Sequence, residues 1–266
     1  MTAVPVRPAL HLRIPALGLY YTFLVVLLYV PIAILFLFAL NAGTVLAFPL
    51  QGFTLEWFSR LADSPAILRA AGNSLLVAAT SSVVATALGT MVSVVLTRST
   101  LRGRTVLFGM SLLPLIVPAV VGGVALLLLF RAIGIGLSLW TVAIGHSIAG
   151  LPYALLIVTA RLAGFDPRLE EAAMDLGASY PTTIRRIVLP NIVPAMISAW
   201  ITAFTVSFDE FALALFLAGT SPTFPVYLFS QLRFASRLPI MIAMAVLLTL
   251  GTMTLLLLAE RIRRVE

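Results

Sequence analysis

Long apolar runs separated by shorter polar stretches dominate this chain, at about 17–40, 74–96, 106–130, 137–160, 192–217 and 239–259. Each run is roughly twenty residues or more, the length that a helix rising 1.5 Å per residue needs to cross a hydrocarbon core of ~30 Å. The pattern predicts an all-α integral membrane fold with about six transmembrane helices. The first run resembles a signal peptide in having Arg7 and Arg13 before it. Its apolar stretch is longer than the usual signal core, however, and no small-residue cleavage site follows directly, so it reads as a retained helix.

Composition supports spans over buried core helices. Of 266 residues, 61% are hydrophobic and 10% charged, against roughly a quarter charged in a soluble domain. All 17 basic residues are Arg, and Cys is absent. Without Lys there is no phosphate-loop lysine, Schiff base or lysine general base; without Cys there is no disulfide, thiol nucleophile or iron–sulfur ligation. Two histidines, His11 and His146, do not make a histidine-rich metal site. No credible nucleophile or acid–base pair remains, which disfavours a membrane-embedded enzyme. The net charge of +7 does not point to nucleic acid here; in a membrane protein, the distribution of basic residues among loops carries the information.

With a cytoplasmic N-terminus, the inner segments hold Arg7, Arg13, Arg98, Arg102, Arg104, Arg161, Arg168, Arg185, Arg186, Arg261, Arg263 and Arg264. The outer ones hold Arg60, Arg69, Arg131, Arg233 and Arg237. That asymmetry places both termini inside, as an even number of spans also requires. Pro114, Pro118, Pro152, Pro190, Pro194 and Pro239 fall in or beside the apolar runs, where each removes a backbone donor and favours a kink. In the second run Ala78, Ala79, Ser81, Ser82, Ala85, Ala87 and Gly89 are small enough for close helix approach. His146, beside Gly145, reads as a hydrogen-bonded packing residue rather than a proton relay.

One segment is too long and too charged for a simple connection. Residues 161–191 read RLAGFDPRLEEAAMDLGASYPTTIRRIVLPN. Asp166 suits the cap of a helix starting at Pro167, Glu170 and Glu171 complement the helix dipole, and Gly177 suits its end. Ser179 and Pro181 then start a second short helix that runs through Ile184 and Ile187 to Pro190. The prediction is an elbow over 166–190 on the inner membrane face.

Glu171, Ala172, Ala173, Gly177, Ile187, Leu189 and Pro190 resemble, position for position, the E-A-A-x3-G-x9-I-x-L-P signature of permease subunits of binding-protein-dependent ABC importers. The resemblance runs from about Ala70 to the C-terminus. It divides the chain into 1–69 (tail, first helix and outer loop), 70–259 (transporter domain) and 260–266 (tail). Asn73-Ser74-Leu75, the SFDEF of 207–211, and Gly219, Thr223 to Pro225, Tyr227 and Arg233 are similar to the spermidine/putrescine branch. At the last span, the expected Pro-x-x-Asn-Ala run is replaced by Pro-Ile-Met-Ile-Ala over 239–243.

The resemblance implies a type I importer bundle in a bacterial inner membrane, with Glu170, Glu171, Ala172, Ala173, Gly177, Ile187, Leu189 and Pro190 coupling it to an ATP-binding subunit dimer. ATP and Mg would sit on that dimer and no cofactor on this chain. The other implied partners are a second permease, of the same or a different sequence, an extracytoplasmic solute-binding protein, and membrane lipid. Asp209 and Glu210, deep in the fifth run, are costly in a bilayer and therefore functional or paired. Two readings stand: at least one lines the outer half of a pathway for a cation, or they pair with an Arg such as Arg233 or with a partner. A polyamine is the favoured cargo, with another small organic solute as the alternative. A channel or proton-coupled carrier is a further class, but neither inverted repeats nor a chain of protonatable groups is evident.

Overall fold

The computed structural model describes residues 15–264, with side chains at 17–255 and 257. Arg7, His11 and Arg13, and the side chains of Arg261, Arg263 and Arg264, lie outside the described residues. In chain order the helices are α1 (Pro15–Ala39), α2 (Glu56–Ala62), α3 (Pro65–Arg98), α4 (Arg104–Ile116), α5 (Ala119–Ala132) and α6 (Leu139–Ala163). They continue with α7 (Arg168–Asp175), α8 (Tyr180–Thr183), α9 (Leu189–Asp209), α10 (Ala212–Leu217), α11 (Phe224–Gln231) and α12 (Leu238–Arg264). Among the described residues five helices are long and apolar enough to cross a membrane, and α4 with α5, a pair bent by 107° at its break, makes six if the two are counted as one span.

The centre of the bundle is the packing of α3, α6 and α9. It is made possible by one face of α3, where Ser74, Ala78, Ser81, Ser82, Ala85, Gly89 and Ser93 are buried at helical spacing. Ala79 and Ala87 lie outside that face and are exposed. At Gly89 the backbones come so close that a Cβ would sit 2.7 Å from the Ala154 Cβ and 2.9 Å from the Leu155 amide nitrogen. In lipid, where apolar burial between helices gains little, this contact comes from dispersion and interhelical hydrogen bonds.

Such bonds are present. Ser81 Oγ donates to Ser207 Oγ at 2.8 Å, and His146 Nδ1 lies 2.8 Å from the same oxygen. One polar node thus ties α3, α6 and α9 at their crossing, and His146 holds the packing role its sequence setting predicts. Near one end of the bundle Ser93 Oγ also donates to the Leu155 carbonyl at 3.1 Å. At the other, the Phe224 amide donates to Ser74 Oγ at 2.9 Å. There, Trp57, Leu61, Ile67, Phe224, Met241 and Met244 form a cluster joining α2, α3, α11 and α12.

Three expectations change. The third run is not one rod. Pro118 restricts the residue before it, and Val117 is extended (φ −74°, ψ 124°), so the helix stops at Ile116 and resumes at Ala119. The fifth run is not continuous to residue 217 either. It stops at Asp209, Glu210 is extended (φ −72°, ψ 114°), and a separate short α10 follows. In the other direction, the short helix expected to end near Pro190 merges with the fifth span, so that residues 180–209 form one apolar column. The join is a π-helical turn over Ile184–Val188, in which the wider i to i+5 bonding passes the chain across Pro190, which has no amide hydrogen to give. The short helices α2 and α11 were not predicted, because seven or eight residues carry too little periodicity to read.

Candidate functional site

The elbow forms as its local chemistry dictates. Asp166 Oδ1 accepts the Arg168 amide at 3.0 Å, so the carboxylate caps the start of α7 although the helix itself begins one residue after Pro167. At the other end the Gly177 amide donates to Met174 O (2.9 Å) and the Ala178 amide to Ala173 O (3.0 Å), the paired bonding of a Schellman end. Gly177 has φ +87°, a backbone conformation that side chains with a Cβ disfavour.

The helix sorts the motif into two faces. Glu170 is buried (7% exposed) and Ala173, one turn on, is half-buried. Glu171 and Ala172 point outward and are exposed, as are the apolar Leu169, Met174 and Leu176, the last at 90%. Further along, Val188 and Ile192 are fully buried, and Ile184 and Leu189 pack against the same cluster with Val158 and Leu162 of α6. Ile187 is half-buried and Pro190 exposed. The I-x-L part of the pattern therefore seats the column, while the outward alanine and its apolar neighbours leave an unfilled surface.

Glu170 meets a residue that the sequence marked only for its charge. Arg98, the last residue of α3, donates from Nε to Glu170 Oε1 at 2.7 Å, with side-chain exposures of 15% and 9%. Its Nη2 donates to the Leu162 carbonyl at 3.2 Å, its guanidinium lies 5.7 Å from the Phe165 ring centroid, and its own carbonyl accepts Tyr180 Oη at 3.3 Å. Residues 72 apart in the chain meet here, and no local spacing signals it.

The second candidate region is the break at Asp209 and Glu210. Glu210 Oε1 accepts the amides of Ala212 (2.8 Å) and Leu213 (3.2 Å), capping α10. The same residue lines a mainly apolar cavity of about 420 Å³ together with Pro114, Val117, Gly122, Gly145, Tyr153 and Leu213. Two interrupted helices, α4/α5 and α9/α10, thus border one cavity. Asp209 lines a different groove of about 250 Å³ between α9, α11 and α12, with Phe208, Phe224, Leu228, Leu248 and Thr249. The chain break, more than the 100° of a continuous helix, separates the two acids. Neither makes an ion pair among the described residues. Arg233 donates to the Ser230 carbonyl at 3.2 Å instead.

Residues 85–265 match the family model described as the inner membrane component of binding-protein-dependent transport systems. The chain is 36% identical over 217 residues to the spermidine/putrescine transport system permease protein PotC of Escherichia coli, covering 81% of this chain and 82% of that one. It is 35% identical over 229 residues to the putrescine transport system permease protein PotI of the same species, covering 83% and 80%. Among solved structures, a chain of a bacterial ABC transporter involved in import of the acidic polysaccharide alginate superposes with a TM-score of 0.73 over 94% of both chains, at 17% identity. That likeness shares the fold alone. The bundle, the elbow and the sequence relatives converge: this chain belongs to the family of inner-membrane permease subunits of binding-protein-dependent ABC importers.

Proposed function

We propose that this permease carries a polyamine-like organic cation, such as spermidine or putrescine, released to it by an extracytoplasmic binding protein. The observation that supports this reading is Glu210, an acid lining a mainly apolar cavity between two interrupted helices. A carboxylate in such surroundings attracts a cation strongly because little solvent screens it. The relatives named for polyamines add weight; the alginate importer's fold carries none, since its named cargo is an acidic polysaccharide. Asp209 lines a different groove from that cavity, so of the two acids it is Glu210 that this reading places on the path.

In this reading the chain is one half of a permease pair, of like or unlike subunits, and carries no ATPase site of its own. Glu171, Ala172 and the exposed Leu169, Met174 and Leu176 dock on an ATP-binding subunit dimer that holds ATP and Mg. Glu170, Ala173, Gly177, Ile187, Leu189 and Pro190 shape and seat the elbow that does so. The transporter domain is 70–259, with 1–69 and 260–266 flanking it. Uptake of labelled spermidine and putrescine in proteoliposomes tests the cargo. Glu210→Gln is expected to lower uptake at least about tenfold, the loss of one charge-assisted contact, while the complex still copurifies. Unchanged uptake of both cations in Glu210→Gln would remove the role given to Glu210, and transport of only neutral or anionic solutes would remove the polyamine reading.

Both termini are proposed to be cytoplasmic. Arg98, Arg102, Arg104, Arg161, Arg168, Arg185 and Arg186 flank the elbow end, against Arg60, Arg69, Arg131, Arg233 and Arg237 at the other. Thr100 and Thr220 are exposed at opposite ends, and the chain has no native Cys. An impermeant thiol reagent applied to intact spheroplasts is expected to label Thr220→Cys and spare Thr100→Cys; the reverse pattern inverts the topology.

A further inference from the structure

We infer that Arg98 is a positioning residue of the transport cycle, acting through Glu170 to fix the angle at which the elbow is held out to the ATPase. The inference depends on the coupling role proposed for the elbow. Its ground is a single side chain at the end of α3 that reaches three parts of the inner end at once. The guanidinium bonds Glu170 of α7 and the Leu162 carbonyl of α6 and lies over Phe165 in the connection between them, while the backbone carbonyl of the same residue receives Tyr180 Oη from α8.

Glu170 immediately precedes the Glu-Ala-Ala run, yet it turns the opposite way from Glu171. The two adjacent acids therefore have different addresses: Glu171 faces out to the partner, and Glu170 faces in to α3. The pair is only 15% and 9% exposed, so water and salt screen it weakly, and removing either member strands the other charge where solvation is poor. An Arg fork bonded on two sides also fixes direction, which a lone attraction would not. Because α3 makes the most extensive contact with α6 and packs on α9 as well, any shift of the bundle core reaches α7 through this joint. With the joint cut, α7 remains tethered by its chain ends and by Ala173, and its orientation relative to α3 is free to drift.

The test uses the assembled transporter in proteoliposomes with its ATPase, second permease and binding protein. It compares wild type, Glu170→Gln, Arg98→Gln, Arg98→Lys and the swapped pair Arg98→Glu with Glu170→Arg. Two quantities are read: copurification of the ATPase, and the ratio of ATP hydrolysis with cargo-loaded binding protein to that without. Both Gln variants are expected to lose at least about tenfold in that ratio, within the usual range of coupling energies. Arg98→Lys and the swapped pair, which keep an ion pair but not the fork bonded on two sides, are expected to recover part of it. A purely structural contribution predicts no such recovery in the swap, since it reverses both groups and forfeits the Leu162 bond.

The inference is overturned if the Gln variants keep the wild-type ratio, or if Arg98→Lys and the swapped pair are as poorly stimulated as they are. A Gln variant that fails to copurify counts with the uncoupled ones, and the outcome then turns on the Lys and swapped complexes. Ala172→Arg, run alongside, separates the two levels of argument. If it stays fully coupled, the coupling role of the elbow fails; if it is uncoupled while the Arg98 and Glu170 variants are not, the joint alone fails.

Discussion

In proteoliposomes containing all partner subunits, Ala172→Arg is expected to reduce uptake by about thirtyfold or more, the cost of losing one interface residue worth ~2 kcal/mol. Ala172 is exposed on the outward face of α7, flanked by Glu171 and followed by the exposed Met174 and Leu176. A methyl side chain there allows a partner surface to approach closely, and a guanidinium on a long stem forbids it. Since Ala172 packs against little of its own chain, the variant is expected to reach the membrane at normal levels. Leu176→Asp offers an independent check at a residue 90% exposed, where an apolar side chain in solvent has no folding reason to be there. Copurification of the ATPase with both variants at wild-type stoichiometry and full uptake would refute the docking face. Ala173→Arg would test something else, because Ala173 is half-buried against the bundle.

Gly89→Ala is expected to lower stability by about 1 to 3 kcal/mol, the usual cost of overpacking, although alanine is the better helix former by about 1 kcal/mol. The added Cβ would lie 2.7 Å from the Ala154 Cβ and 2.9 Å from the Leu155 backbone nitrogen, and a backbone cannot rotate aside as a side chain can. Gly72 on the same helix meets nothing within 4 Å, so Gly72→Ala is expected to be neutral or stabilising. Melting in detergent, followed by gel-filtration recovery, distinguishes the two. Ala154→Gly added to Gly89→Ala is expected to recover part of the loss, but not all, because the Leu155 nitrogen remains. Equal melting of the Gly72 and Gly89 variants would show that α3 and α6 do not meet as described.

The spans were legible because each needs many apolar residues in a row, a signal that survives local irregularity. The small face of α3 was legible for the same reason: Ala78, Ser81, Ser82, Ala85 and Gly89 repeat at helical spacing, even though Ala79 and Ala87 turned out to face away. The ends of α7 could be read because Asp166 and Gly177 act on amides within three residues of themselves. Breaks inside apolar runs were harder. Pro118 announced one without saying whether the chain would kink or turn through 107°, because neighbouring helices decide which. Nothing local marked the break at Glu210, where a carboxylate takes over the capping of two amides. Long-range pairings were invisible. Arg98 stood in the sequence as one more inner charge, and only folding brought it to Glu170.

The length of α3 has a geometric consequence. At 34 residues it measures about 50 Å, well beyond a hydrocarbon core of ~30 Å, and the node formed by Ser81, His146 and Ser207 lies close to its midpoint. Arg98 stands roughly 25 Å from that node along the axis, so a tilt of only about 5° about it would sweep Arg98 sideways by ~2 Å. Pro65, at the opposite tip, would swing by nearly the same distance in the reverse sense, carrying the Ser74 bond to Phe224 with it by a lesser amount. The helix is in effect an oar with its rowlock at mid-length, so that a stroke too small to disturb the packing at the pivot is about half a carbon–carbon contact distance at the blade.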